Sequence, residues 1–465
     1  MKTVLISPEQ IMNPDPKVIS TTESLCPECL GRIPANLIRR GENIYLRKIC
    51  SKHGAFETVV WRGLPAYETW EVPKMPSNPE KPFTAVIKGC PYDCGLCPDH
   101  RQQPCCVLLE VTQHCDLVCP VCFANAGRST EEDPDFPTIR FWFENLMKAG
   151  GPFNIQLSGG EPCLREDLPE IIALGRSLGF SFFQVNTNGL RLATDIDFLK
   201  KLKGAGLSTV YLQFDGIHDA IYEKIRGRKI LWAKIAAVEN CAKLQIGVIL
   251  VATLAPGINS SEVGDILKLA LRYHPIVRGV HFQPVSYFGR YPAPPQDQDR
   301  ITLPEIVTLL EEQTGGLIKK ENFKPSGGEN AHCSFHGNFV IMPDGSLKPL
   351  SRHDSDSCCS KPIIAEEGRI KAQAFVSRMW TAPPADTPIQ TDIPSLGEWD
   401  TFLARARTHM FSISGMAFQD SWTVDLARLR ECYILTVAPD GRLVPFCAYN
   451  LTSQGGKALH RGHGK

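Results

Sequence analysis

The sequence predicts an α/β fold: a run of parallel strands joined by crossover helices, with cysteine-bearing segments on both sides. Three observations carry this. From about 107 to 290, short apolar runs alternate with segments whose apolar residues recur at helical spacing. Eight of the eighteen cysteines crowd between Gly89 and Gly127. Near the N-terminus, Cys-x2-Cys and Cys-x2-His pairs stand at Cys26, Cys29, Cys50 and His53. The length, 465 residues, suggests two to four domains at roughly 100–200 residues each.

The N-terminal segment holds two Cys-rich turns joined by a stretch in which "NIYLRKI" reads as a strand, followed by the Pro-rich connector "EVPKMPSNPEKPF". "VLLEVT" is a strand by its apolar, β-branched run. "FNIQLSGG", "SFFQVNTNG", "STVYLQFDG", "QIGVILVATLAPG" and "VRGVHFQPV" follow as strands. Between them "IRFWFENLMKAG", "EDLPEIIALGRSLG", "DIDFLKKLKGAG", "ILWAKIAAVENCAKL" and "SEVGDILKLALRYH" read as helices, several ending in Gly. Six such strands form either an open sheet or a partial barrel; the pattern alone does not choose. Beyond 290 the rhythm breaks. "GRYPAPPQDQDR" reads as a linker and "TAPPADTPIQTDIPS" as a surface loop. "NFVIMPDGSLKP" and "CYILTVAPDGRLVPFC" each place Pro-Asp-Gly between apolar runs, a hairpin signal. The expected organisation is a metal module at 1–75, a second cysteine segment at 76–106, the αβ region at 107–290 and a C-terminal region at 291–465.

Lys plus Arg balances Asp plus Glu at 50 each. A neutral chain without a basic run is a poor binder of phosphate backbones, so no nucleic-acid partner is expected. No apolar run approaches the ~20 residues of a spanning helix, and the first residues carry no secretion signal. A cytoplasmic location is expected, where clustered cysteines more often bind metal than pair as disulfides.

Cys115, Cys119 and Cys122 form C-x3-C-x2-C directly after the first αβ strand. Three thiolates can hold three corners of a four-iron cluster and leave the fourth iron open to a small chelating molecule. Gly159, Gly160, Glu161 and Pro162 end the next strand; two glycines permit close backbone approach, and Glu161 can accept from an ammonium group. Strand ends of this kind are where parallel αβ folds place their sites. Cys90, Cys94, Cys97 and Cys105 can complete a second four-iron cluster; four thiolates can also hold zinc. Cys106 is expected to be a spare. Cys26, Cys29, Cys50 and His53 form a tetrahedral set suited to zinc or a single iron. Cys333, Cys432 and Cys447 flank the two hairpins and suggest a third cluster with an unidentified fourth ligand. Cys163, Cys241, Cys358 and Cys359 read as packing or surface thiols.

C-x3-C-x2-C after the first strand and GGEP after the second resemble the radical S-adenosylmethionine (SAM) superfamily. The resemblance implies a partial (β/α)6 barrel, SAM bound at the open iron, and a 5′-deoxyadenosyl radical that abstracts hydrogen. It assigns Gly159, Gly160 and Glu161 to the methionine amine, Asn188 and Asp215 to the ribose or carboxylate, and Arg226 to the carboxylate. "GCPYDCGLCPDH", "EVTQHCDLVCPVCFANAG", "GMAFQDSW" and "PDGRLVPFCAYN" further resemble the branch that includes tetraether lipid synthase, membrane-spanning-lipid synthases and a dihydropterin methyltransferase. Departures are Cys163 after GGEP, Asp116 in place of a usual Asn, and the Cys105–Cys106 doublet.

That resemblance implies a rubredoxin- or zinc-ribbon-like N-terminal module, two or three 4Fe-4S clusters and a cluster-binding C-terminal region. It also implies a reduced electron donor such as ferredoxin or flavodoxin. Surplus cysteines, together with Phe141, Trp142, Phe143, Leu231 and Trp232 on helical faces, favour coupling of lipid chains by carbon–carbon bond formation. The protein would then touch the inner membrane face from the cytoplasm. The alternative is a radical SAM methyltransferase acting on a dihydropterin or similar heterocycle. A third reading, of another class, is a non-enzymatic iron–sulfur or zinc scaffold, against which GGEP at a strand end argues.

Overall fold

The computed structural model describes residues 17–127, 132–352, 362–383 and 398–462. Cys358, Cys359 and most of the Pro-rich stretch before 398 lie outside the described residues. Four antiparallel strands form the N-terminal module: β1 (Lys17–Leu25), β2 (Arg32–Arg40), β3 (Asn43–Cys50) and β4 (Gly54–Trp61). β5 (Lys74–Met75), in the Pro-rich connector, pairs with the distant β14 (Ile363–Ile364).

The six expected parallel strands are present. They are β6 (Cys106–Thr112), β7 (Asn154–Gly159), β8 (Phe183–Thr187), β9 (Thr209–Gln213), β10 (Gly247–Leu254) and β11 (Val277–Pro284), paired in that order. Helices α1 (Phe136–Lys148), α2 (Leu168–Ser177), α3 (Leu190–Thr194), α4 (Ile196–Ala205), α5 (Asp219–Arg226), α6 (Leu231–Lys243) and α7 (Val263–Arg272) lie between and after them. Caps fix the boundaries of several: Asp135 accepts from Thr138 N at 2.9 Å ahead of α1, and Asp195 accepts from Phe198 N at 2.9 Å ahead of α4.

The sequence beyond 290 does not stand apart from this sheet. After α8 (Leu303–Gln313), β12 (Ser334–Ile341) and β13 (Leu347–Pro349) form the first expected hairpin. α9 (Ala365–Met379) and α10 (Glu398–Thr408) lead to β15 (Met410–Met416), which runs parallel to β11 and carries β12 on its other side. Past α11 (Leu426–Leu429), β16 (Ile434–Val437) runs parallel to β6 and forms the second hairpin with β17 (Leu443–Pro445), followed by α12 (Phe446–Asn450). The result is one eleven-stranded sheet in the order β13-β12-β15-β11-β10-β9-β8-β7-β6-β16-β17.

Alternation along the strands sorts its two faces. Val107, Leu109, Ile155, Leu157, Phe183, Val185, Val210, Leu212, Val248 and Leu250 pack into the main core against the helices. Their neighbours Leu108, Gln156, Gln184, Tyr211, Gln213, Val251, His281 and Gln283 face the other way and line a single large cavity of about 1380 Å³.

Candidate active site

Cys115, Cys119 and Cys122 sit in the loop after β6, and all three thiols line that cavity. The loop is pinned at both ends: Cys115 N donates to Gly127 O at 2.9 Å, and Cys122 exchanges backbone hydrogen bonds with Arg290 at 2.9 and 3.0 Å. The Arg290 side chain adds Nε to Cys119 O at 2.9 Å and Nη2 to Ala126 O at 3.0 Å. Sequence reasoning missed this clamp because Arg290 lies in the stretch read as a linker.

The glycines after β7 meet the same loop. Gly160 N donates to Thr112 O at 2.7 Å and Glu161 N to His114 O at 2.8 Å. A Cβ would stand 2.2 Å from Thr112 O at Gly159 and 2.1 Å from His114 O at Gly160, so only glycine lets the two strand ends approach. Glu161 is 2 % exposed. Its Oε1 accepts from Cys163 N at 3.0 Å and Thr187 Oγ1 at 2.7 Å, and its Oε2 from Asn188 N at 2.6 Å. Burial raises its pKa against these bonds. Asn188 Nδ2 donates to Asp116 Oδ1 at 2.6 Å, so Asp116 ties the cysteine loop to the end of β8.

Asp215 and Arg226 form a bidentate buried pair, Nε to Oδ2 at 2.7 Å and Nη2 to Oδ1 at 2.9 Å. Asp215 also accepts from Thr253 N at 3.1 Å and is fully buried. Its carboxylate positions Arg226, and Arg226 is the member that lines the cavity, with Nη1 3.9 Å from Cys119 Sγ. Burial pulls the guanidinium pKa down, but the charges of Asp215 and Cys119 outweigh it and keep the group protonated. The resemblance assigned Arg226 to the carboxylate, but helix α5, which carries it inward, was not foreseen. Lys234 of α6 was also missed. It is fully buried, donates Nζ to Asn188 O, and burial lowers its pKa to about 8.

The remaining cysteines fall in separate places. Among the described residues, only Cys26, Cys29, Cys50 and His53 bring donor atoms within 4.8 Å of one another, the spacing of a single ion. Cys115, Cys119 and Cys122 do not form so close a set. Cys90, Cys94 and Cys97 cluster, and the thiol that reaches Cys94 electrostatically beside them is Cys432. Cys432 in turn faces Cys447 and Cys333. Cys105, expected with Cys90, Cys94 and Cys97, lies instead beside Cys106, Glu329 and Arg369. Cys163 and Cys241 are buried core thiols.

Family comparisons agree with this geometry. Residues 18–62 match the model of the HMPTM N-terminal zinc ribbon domain, and residues 109–270 that of the radical SAM superfamily. The 7,8-dihydro-6-hydroxymethylpterin dimethyltransferase of Methanocaldococcus jannaschii is 38% identical over 92% of this chain and 93% of its own. A GTP 3′,8-cyclase of Nautilia profundicola is 26% identical over 60% of this chain and 83% of its own. The solved structure of Streptococcus suis SuiB bound to S-adenosylmethionine aligns over 46% of this chain and 47% of its own, with 15% identity and a TM-score of 0.36.

The fold and site define a radical SAM enzyme with an N-terminal zinc ribbon. Within that superfamily the chain belongs to the family of the dihydro-hydroxymethylpterin dimethyltransferase. SAM, a 4Fe-4S cluster and a mononuclear metal are its cofactors: Cys115, Cys119 and Cys122 fit the cluster, and Cys26, Cys29, Cys50 and His53 fit the single ion.

The expectation of lipid coupling is corrected by the same comparison. The relative that matches nearly end to end is a pterin dimethyltransferase, so a near-full-length match is no argument for lipid. The aromatic residues taken as a trace of a lipid channel do not line the cavity. Trp142 and Phe143 are packed in the core, while Phe141 and Trp232 are 45% and 56% exposed on the outer surface. Membrane-face contact, expected only for a lipid substrate, loses its motive; among the described residues no helix is long and apolar enough to cross a membrane.

Proposed function

We propose that this protein is a radical SAM methyltransferase acting on a dihydropterin or a closely related reduced heterocycle. The observation that carries the reading is the 38% identity to a dihydropterin dimethyltransferase over 92% of the chain. The cavity suits such a substrate. The amides of Gln156, Gln184, Gln213 and Gln283 project into it, and Tyr211 and Trp380 stack at 5.9 Å and 23° to make a flat wall.

When bound, the cluster and SAM supply the 5′-deoxyadenosyl radical that abstracts hydrogen. The chain's own residues do the rest. Arg290 and the Gly159–Gly160 contact hold the cysteine loop in place. Arg226, locked by Asp215, offers a fixed cation for a carboxylate. Asn188 and Glu161 shape the floor between β7 and β8. We assign Cys90, Cys94, Cys97 and Cys432 to a second cluster, an electron donor of the ferredoxin or flavodoxin type as partner, and a reducing cellular compartment.

The test is substrate-stimulated SAM turnover. Anaerobically reconstituted protein with reductant should form 5′-deoxyadenosine faster when 7,8-dihydro-6-hydroxymethylpterin is added than when lipid vesicles are added. Stimulation by lipid alone would overturn the proposal.

A further inference from the structure

The tetrapeptide Ser-Gly-Gly-Glu occurs twice, at 158–161 and at 326–329. Both glutamates line the cavity described above, but they are held differently. Glu161 uses both oxygens on partners of the chain. Glu329 is 2 % exposed; its Oε1 accepts from Ser334 Oγ, while its Oε2 has no hydrogen-bond partner among the described residues. A buried acceptor left unmade is costly, more so when charged, and such groups persist in native folds where something else completes them.

The second loop is built to hold this carboxylate in place. At Gly328 a Cβ would stand 2.6 Å from the Tyr433 ring, and at Gly368 of α9 it would stand 2.1 Å from Gly327 O. The loop therefore threads between helix α9 and Tyr433 only because these positions lack side chains. Gln102 fastens it from below, donating Nε2 to Gly328 O at 2.6 Å and to Ala365 O at 3.0 Å. Lys74, mostly buried with its Nζ unpaired, feels the Glu329 charge without forming an ion pair with it. The Tyr433 phenol, kept protonated by burial and by the adjacent Glu329 carboxylate, is the neighbouring group able to donate to that carboxylate, so a ligand would share Glu329 with it.

Other cavity residues share the same deficit. Among the described residues, Gln213 Oε1 and Asn338 Oδ1 are buried acceptors without hydrogen-bond partners, and Trp380 Nε1 is a buried donor without one. Three open acceptors against one open donor select a flat ligand rich in N–H groups. Resting on the dihydropterin reading above, we propose that Glu329 anchors the substrate by accepting from the 2-amino group and the adjacent ring N–H of its pyrimidine edge. Those two parallel donors match the two oxygens of one carboxylate, as in a bidentate guanidinium pair.

Equilibrium dialysis of the reconstituted protein against 6-hydroxymethylpterin and against the corresponding lumazine tests this. Lumazine carries a carbonyl where the pterin carries its 2-amino group. Wild-type protein should prefer the pterin by at least about tenfold, because a site built for an N–H rejects the analogue that lacks it. Glu329→Gln is isosteric and replaces one acceptor by a donor. It should weaken pterin binding and bind lumazine more tightly than wild type does, a gain that misfolding cannot produce. If Glu329→Gln keeps the wild-type pterin-to-lumazine ratio, or loses both ligands alike, the assignment of Glu329 is wrong while the dihydropterin reading stands. If wild-type protein binds neither ligand, the reading falls and Glu329 with it.

Discussion

The Asp215–Arg226 pair shows how one residue's role is set by its neighbour. Both partners are buried and joined by two short hydrogen bonds, so removing either leaves an uncompensated charge. Asp215→Ala should cost ~3–5 kcal/mol of unfolding free energy, measured by denaturant titration of anaerobic protein; a loss below ~1 kcal/mol would place the pair at a surface-like site. Lys234 gives a pH signature. Its folded pKa of about 8 lies below the ordinary 10.5, so between those values the unfolded chain binds more protons and stability rises with pH. Lys234→Met should flatten that rise by up to ~1.4 kcal/mol per pH unit, seen by comparing the two proteins across pH 8–10. The role of Lys234 was not readable from the sequence, and Arg226 was reached only through the family resemblance. Lys234 looks like one more polar position on an amphipathic helix, and Arg226 lies on a helix too short to announce itself by periodicity. The cysteines and GGEP, by contrast, were legible because their spacing is local.

At the scale of elements, two pieces can be probed apart. The zinc-ribbon sheet rests on the C-terminal region through Thr22 Oγ1 to Asp425 Oδ1 at 2.7 Å, Ser24 Oγ to Val424 O at 2.5 Å and Lys48 Nζ to Ser421 O at 2.8 Å. Cys29→Ser should release the single metal ion, found by elemental analysis, and expose β1–β4 to protease. The iron bound by Cys115, Cys119 and Cys122 should remain. Loss of all metal together would mean that the module and barrel do not fold separately. Gly160→Ala drives a methyl group into His114 O. It should displace the cysteine loop, cost roughly 1–3 kcal/mol and weaken SAM binding measured by dialysis. The strands and helices of the barrel were legible because each buries a periodic apolar face. The fourth thiol proposed beside Cys90, Cys94 and Cys97 was not: local spacing pointed to Cys105, whereas Cys105 stands near Glu329 and Cys432 near Cys94. Spacing cannot register a contact made by chain closure.

At the scale of the molecule, the C-terminal third closes what the barrel leaves open. β15 extends the parallel sheet past β11, β16 extends it past β6, and the 326–329 loop, packed on α9, lines the cavity with them. The cavity is thereby walled by residues from Glu68 to Phe446. This explains why a sequence reading could reach the radical SAM chemistry and yet rank lipid above its dihydropterin alternative: the cofactor motifs sit on two adjacent strand ends, whereas the cavity wall is assembled from alternate residues of many strands. Alternation in "NIQLSG" and "FQVNT", polar on one face and apolar on the other, was the available signal. The central claim is that this wall presents a dihydropterin to SAM-derived chemistry, and product analysis tests it most directly. Wild-type protein, SAM, reductant and 7,8-dihydro-6-hydroxymethylpterin should yield pterin heavier by one or two methyl substitutions, and a variant with Cys115, Cys119 and Cys122 all changed to Ala should yield none. Accumulation of 5′-deoxyadenosine with the pterin recovered unchanged would contradict the account.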